Sequence, residues 1–142
     1  MSNLSVNNFF NFEKKIVLIT GSSGQLGTSF SDLFLSQKAI VIGMDIVKSK
    51  IKNRNFYFYK LDISNKKKVE EAFHKIISKF KKIDIIINNA SISVFSKFDK
   101  RKDHEINNTI SSNLKGSLNL INTYLKEHKK KLYAEIDANS RK

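Results

Sequence analysis

The chain has 142 residues, enough for one domain with one core, and its 40% hydrophobic and 27% charged residues are ordinary for a globular protein. Cysteine is absent, which excludes a disulfide framework and a thiolate metal site, and no run approaches the roughly 20 apolar residues that cross a bilayer. The net charge of +13 is carried by lysine, with arginine only at Arg54, Arg101 and Arg141, and no nucleic-acid-binding motif accompanies it. The lysines are therefore expected to form a solvated surface, with no nucleic acid and no membrane as partner.

Met1–Lys15 is rich in Asn and Ser and lacks the basic-then-apolar order of a secretory signal, so a cytoplasmic location is expected. Lys15–Thr20 (KIVLIT) reads as a buried strand followed by glycine. Gln25–Gln37 then carries Leu26, Phe30, Leu33 and Phe34 on one helical face. Ala39–Ile46 and Phe56–Leu61 read as the second and third strands. After Ser64 as N-cap, a helix is predicted from Val69, Ala72, Phe73, Ile76, Ile77 and Phe80, which recur at helical spacing. Ile83–Ile87 is the fourth strand and a loop spans about Ser91–Asp103. A long helix near Glu105–Lys126 follows, with Ile106, Ile110, Leu114, Leu118, Ile121 and Leu125 on one stripe.

Strands alternating with helices predict an α/β fold, a Rossmann-like doubly wound parallel sheet. The pattern changes after Lys129-Lys130-Lys131. Leu132–Lys142 carries Glu135 and Asp137 where a fifth buried strand would stand, so the sheet is expected to be truncated after the fourth or fifth strand. The expected division is residues 1–13 as an N-terminal extension, 14–131 as an incomplete Rossmann domain, and 132–142 as an atypical tail. A lysine run is encoded by an adenine-rich tract, where a shift of frame would produce such a tail.

Three motifs stand at strand ends, where open α/β sheets bind ligands. The turn Thr20–Gly27 joins the first strand to the first helix. Gly21 permits a tight turn, Gly24 lets backbone approach a pyrophosphate, and Gly27 permits close packing of helix on strand. The helix N-terminus offers unpaired N–H groups to phosphate. Asp45 ends the second strand, near the spacing of about 20 residues at which a carboxylate accepts from ribose hydroxyls. It would repel the 2′-phosphate of NADP, and no arginine lies beside it, so NAD is expected over NADP. The third motif, Asn88-Asn89-Ala90-Ser91, follows the fourth strand. Its amides can hold backbone or cofactor, while Ala90 and Ser91 leave room for a ring system.

Together these residues resemble the classical short-chain dehydrogenase/reductase family from about Lys14 to Lys126. Thr20–Gly27 looks like its cofactor turn. Asp62-Ile63 stands where its adenine-contacting Asp and aliphatic neighbour lie. Asn88–Ser91 is similar to its Asn-Asn-Ala-Gly signature, and Asn113-Leu114-Lys115-Gly116 resembles the segment carrying its active-site Asn. The resemblance implies Gly21, Ser23, Gly24, Gln25, Leu26, Gly27, Asp45, Asp62, Ile63, Asn89, Ala90 and Ser91 as cofactor residues. It implies Asn113 as a catalytic relay residue.

The second glycine falls one position early, at Gly24, a spacing closer to the extended branch with its sugar-nucleotide epimerases. Ser91 replaces a glycine. The larger departure is an absence. The family's general acid/base is a Tyr with a Lys four residues later that lowers its pKa. Here Tyr124 is followed by His128 and Tyr133 by Asp137. The expectation is the NAD-binding portion of an oxidoreductase that moves hydride between nicotinamide and a carbonyl or alcohol, lacking its catalytic pair. In the complete form it would take a small carbonyl or alcohol substrate, and a homodimer is the assembly the family implies. The alternatives are a non-catalytic nucleotide-binding or interaction module and an extended-branch epimerase or reductase fragment. His74, His104 and His128 show no metal-ligand spacing, and no metal is expected.

Overall fold

The computed structural model describes residues 11–95 and 97–140. They form two compact units. The first comprises the described residues through Lys60 together with Lys82–Asn89; the second comprises Leu61–Lys81 and the described residues from Ala90 onward.

The first unit is a four-stranded parallel sheet with one helix. The strands are β1 (Ile16–Thr20), β2 (Ile40–Asp45), β3 (Phe56–Lys60) and β4 (Ile85–Ile87), in the order β3-β2-β1-β4. Every pairing is parallel: Ile16 faces Ile40, Val17 faces both Val41 and Ile85, and Val41 faces Phe56. Residues Ile16 to Thr20 are all buried. An unbroken apolar run is what a strand covered on both faces requires, because alternate residues point to opposite sides. The strands match the predicted segments but are a residue or two shorter, β2 and β4 each by two.

Helix α1 (Gln25–Ser36) packs against β1 and β2 around a cluster of Val17, Ile19, Phe34, Ala39 and Val41. Its buried face matches the predicted one in part, with Phe34 buried and Phe30 packed on the core. Gly27, Ser31 and Phe34 turn inward, while Leu26 and Leu33 are exposed. A Cβ on Gly27 would lie 2.0 Å from the Gly21 carbonyl oxygen. The helix meets the turn backbone to backbone there, so Gly27 and Ser31 take the inner face beside Phe34, while Leu26 and Leu33 lie outward.

Asp84 fixes the lower end of the sheet. Its Oδ2 accepts from the Ile16 N–H at 2.8 Å and its Oδ1 pairs with Lys82 Nζ at 2.9 Å. Burial alone would raise its pKa. The Ile16 N–H, the bond and charge of Lys82, and the charge of Lys15 outweigh burial, and the carboxyl sits below its ordinary value.

The second unit is helical. In α2 (Lys66–Phe80) Val69, Ala72, Phe73 and Ile76 are buried as the periodicity predicts. Its N-cap is Asn65 rather than Ser64, since Asn65 Oδ1 accepts from the Lys68 N–H at 3.2 Å. The expected loop contains a 3-10 turn at Phe98–Lys100. The single predicted long helix is resolved into α3 (Asp103–Ile110), a π-helical segment (Ser111–Gly116) and α4 (Ser117–Ser140). Helix α4 packs on α2 and continues without interruption past Leu132, so that stretch is helical and adds no fifth strand.

The predicted stripe on this long helix faces the other way. Ile106, Ile110, Leu114, Leu118, Ile121 and Leu125 are exposed, whereas Gly116, Asn119, Leu120 and Thr123 are buried. A Cβ on Gly116 would meet Ile63 Cγ1 at 2.6 Å. Close approach to the Ile63 segment again selects the face with small residues.

Candidate functional site

Residue Gly21 has a φ of 63°, the left-handed region that glycine enters without strain. The turn closes on itself through the Gly24 N–H, which donates to the Gly21 carbonyl at 3.2 Å, and is tied to β2 by the Ser22 N–H to the Met44 carbonyl at 3.4 Å. Gly24 is the N-cap of α1 and makes no side-chain cap; the first turn of that helix carries no acidic residue. The partial positive charge at this helix start is therefore not neutralised by a carboxylate of its own. Among the described residues the one near neighbour of an added Cβ at Gly24 is the Gly21 carbonyl oxygen at 3.4 Å, an ordinary contact. The helix start beside Gly24 is thus little crowded, and the residues present fit a dinucleotide phosphate. Gln25 and Leu26, the first residues of α1, are both exposed.

Asp45 ends β2 beside this turn. Its Oδ2 accepts from the Ser23 N–H at 2.9 Å and its Oδ1 from the Val47 N–H at 2.8 Å, while Ser23 Oγ donates to the Val47 carbonyl at 2.7 Å. Among the described residues no basic side chain pairs with Asp45. A carboxylate has about four lone-pair sites, so two remain for an incoming ligand.

The end of β4 is stitched to the end of β1. The Asn89 N–H donates to Thr20 Oγ1 at 3.0 Å, and its side-chain amide donates to the carbonyls of Thr20 at 3.0 Å and Gly21 at 3.3 Å. Asn89 therefore holds the turn itself. Ser22 is fully buried and its Oγ has no hydrogen-bond partner among the described residues; a Cβ on Gly43 would lie 2.5 Å from that oxygen. Gly43 thus makes room for Ser22 beneath the turn.

In the second unit Asp62 forms an Asx turn, its Oδ1 accepting from the Ser64 N–H at 2.8 Å, and its carboxylate is exposed. Ile63 is buried against Gly116, and Asn119 donates to the Ile63 and Ser64 carbonyls, both at 3.0 Å. Ala90 is half-buried and Ser91 exposed. Asn113 lies within the π-helical segment, and its side chain pairs with one residue's backbone. Its Oδ1 accepts from the Ile92 N–H at 2.8 Å and its Nδ2 donates to the Ile92 carbonyl at 2.9 Å. Both ends of the Asn113 amide are committed to holding the segment after Ser91.

The first unit thus gathers Gly21, Ser23, Gly24, Gln25, Leu26, Gly27, Asp45 and Asn89, whereas Asp62, Ile63, Ala90, Ser91 and Asn113 belong to the second. Thr20, Val47, Ile92 and Asn119 are participants that sequence reasoning missed. Thr20 had a signal in its place before the glycines. Asn119 had no signal in the sequence. His74 and His128 are exposed on helices α2 and α4, and no cluster of three or more metal-ligating side chains exists among the described residues.

A parallel sheet with a glycine turn at one strand end and a carboxylate at the next is the arrangement of a Rossmann-like doubly wound α/β fold. A model of the short-chain dehydrogenase family matches residues 15–136, and the chain belongs to that family. It is 28% identical over 132 residues to the 3-oxoacyl-(acyl-carrier-protein) reductase FabG of Escherichia coli strain K12, covering 89% of this chain and 54% of that protein. Among solved structures it is similar to a short chain dehydrogenase from Leptospira borgpetersenii serovar Hardjo-bovis with bound NAD+. The TM-score is 0.82 at 34% identity, covering 92% of this chain and 52% of that one. It is also similar to ElxO with NADP bound, with a TM-score of 0.75 at 29% identity, covering 82% of this chain and 51% of that one. The chain spans about half the length of these relatives. Among the described residues no helix is long and apolar enough to cross a membrane.

Proposed function

We propose that this chain holds NAD(H) for a hydride-transfer oxidoreductase, with the Thr20–Gly27 turn taking the pyrophosphate and Asp45 the adenosine ribose. The observation that carries the reading is the Asp45 carboxylate, oriented by two backbone N–H groups, paired with no cation among the described residues, and keeping lone pairs for ribose hydroxyls. The nicotinamide cofactor, when bound, supplies or accepts the hydride. This chain's own contribution is to place it. Asp62 and Ile63 are assigned to the adenine, and Ala90 and Ser91 to the cofactor's path beyond β4.

The carbonyl or alcohol substrate belongs to the complete protein, since no Tyr here is followed four residues later by Lys. Asn113 is assigned the family's place at the reaction centre, acting through Ile92. The domain division at residues 14–131, a cytoplasmic location and a homodimer built on the exposed row Leu114, Leu118, Ile121 and Leu125 belong to the same reading. The relatives hold either NAD+ or NADP, so the choice of NAD rests on Asp45 alone.

Titration calorimetry with NADH and NADPH tests it. NADH binds more tightly, and Asp45→Ala removes about 1.5–3 kcal/mol of NADH affinity, as expected for a charge-assisted hydrogen bond. Equal affinity of the unaltered chain for both cofactors refutes the assignment. NADH consumption with a panel of ketones and aldehydes should stay at background, and steady turnover would refute the non-catalytic reading of this chain.

A further inference from the structure

Two backbone donors from different segments hold Asp45, and one side-chain hydroxyl ties those segments together. The Ser23 N–H comes from the glycine turn and the Val47 N–H from the chain leaving β2. Ser23 Oγ donates to the Val47 carbonyl at 2.7 Å, the shortest of the three bonds, and closes a ring through Ser23, Asp45 and Val47. Two of the three bonds use backbone donors that any residue would supply at positions 23 and 47. The third exists because residue 23 has a hydroxyl.

We propose that Ser23 is a specificity-determining positioning residue. By holding the Val47 carbonyl it fixes the Asp45 carboxylate in the orientation that distinguishes a free ribose 2′-hydroxyl from a 2′-phosphate. The inference rests on the reading that Asp45 meets the ribose. The lone pairs left on the carboxylate point where the two N–H donors allow, so the aim of Asp45 toward ribose is inherited from the Val47 peptide. Packing does little to hold that peptide, because Ile46 is 57% and Val47 61% exposed. Hydrogen bonds hold it instead.

The turn does not depend on this hydroxyl for its own shape. It is closed by Gly24 to Gly21, tied to β2 through Ser22 and Met44, and clamped by Asn89. Removing Ser23 Oγ therefore loosens the Val47 peptide and the carboxylate's aim while leaving the phosphate-facing helix start in place. A cofactor that uses the carboxylate as acceptor loses affinity. One whose 2′-phosphate cannot donate to it does not.

The test titrates NADH and NADPH fluorescence against the full chain, Ser23→Ala and Ser23→Thr, with hydrogen exchange at the Val47 amide measured on the same samples. In Ser23→Ala the Val47 amide loses protection and NADH affinity falls about three- to tenfold, the size of one net hydrogen bond, with NADPH unchanged. Ser23→Thr keeps the hydroxyl and behaves as the unaltered chain. An equal loss for both cofactors would show that Ser23 serves the turn as a whole and would overturn the proposal. So would an unchanged NADH to NADPH ratio once Val47 is unprotected. An unaltered chain that binds neither cofactor refutes the cofactor reading itself, visible before any variant is made, and the inference falls with it.

Discussion

The side-chain amide of Asn89 donates to the carbonyl of Thr20 at 3.0 Å, joining the loop after β4 to the glycine turn after β1. The same nitrogen reaches the Gly21 carbonyl at 3.3 Å, and the Asn89 N–H bonds Thr20 Oγ1. A carbonyl buried beside a turn needs a donor, and Asn89 supplies one for two successive peptides. Asn89→Ala should lower stability by about 1–3 kcal/mol, because it removes both side-chain bonds that join the two loops, although the Gly21 carbonyl keeps the Gly24 N–H. Asn89→Asp should cost more, since a carboxylate would face two carbonyl oxygens. Urea midpoints at constant slope check both; if Asp is the milder change, the clamp is misread.

Gly24 and Gly27 separate binding from folding. A Cβ at Gly27 would lie 2.0 Å from the Gly21 oxygen and 2.7 Å from Ser22 Cα, both backbone. Gly27→Ala must move α1 or the turn, with an expected loss of about 3 kcal/mol or more. At Gly24 the corresponding distance is 3.4 Å, an ordinary contact. Gly24→Ala should fold to within about 0.5 kcal/mol of the unaltered chain and yet weaken NADH binding, because its methyl stands in the phosphate's approach. Thermal melts beside NADH titrations decide this; a Gly24→Ala chain that binds normally removes the phosphate from the turn.

Asp84 predicts the acid limb of stability. Its folded pKa lies below the ordinary 3.8, so its contribution is present above that value and is lost as pH falls through the depressed folded pKa. Asp84→Asn keeps an acceptor for the Ile16 N–H but abolishes the charge pairing with Lys82. The unaltered chain should be the more stable near neutrality, and the gap should close below about pH 4, where the free carboxyl takes its proton. Denaturant midpoints from pH 7 to pH 2.5 measure it. A gap that is constant with pH would remove the Lys82 pairing as its source.

Much of this was legible in the sequence, and the failures share a cause. Ile16–Thr20 and the Thr20–Gly27 turn read correctly because a fully buried strand must be apolar throughout and a tight turn must carry glycine at Gly21. Asp45 read correctly as the strand-end acid, but its Ser23 and Val47 donors did not, since they depend on how two chain segments meet. Asn89 read as an amide that could hold backbone or cofactor, and it holds backbone; Asn113 read as a relay residue, and its side chain pairs with the Ile92 backbone. Helix α1 was read half correctly, since Phe34 is buried and Phe30 packs on the core while Leu26 and Leu33 are exposed, and the stripe through α4 was read with the wrong face inward. Periodicity assigns the core to the most apolar face, whereas close approach brings small residues inward beside a few large ones, here Gly27 and Ser31 with Phe34, and Gly116 and Thr123 with Leu120.

The facing of α4 gives a direct test, because two leucines two positions apart should respond oppositely. Leu120 is completely buried, while Leu118 is 50% exposed. Leu120→Ala removes buried methyl groups from a helix packed on α2 and should cost about 2–5 kcal/mol, with a matching fall in the denaturation midpoint. Leu118→Gln exchanges an exposed apolar side chain for a polar one and should change monomer stability by less than about 1 kcal/mol. If a second copy covers the row Leu114, Leu118 and Ile121, the Leu118→Gln chain should sediment as a monomer where the unaltered chain sediments as a dimer. The two readouts are independent, since stability reports which face is inward and sedimentation reports what meets the outward one. A large loss of stability in Leu118→Gln beside a small one in Leu120→Ala would restore the face that periodicity alone had chosen.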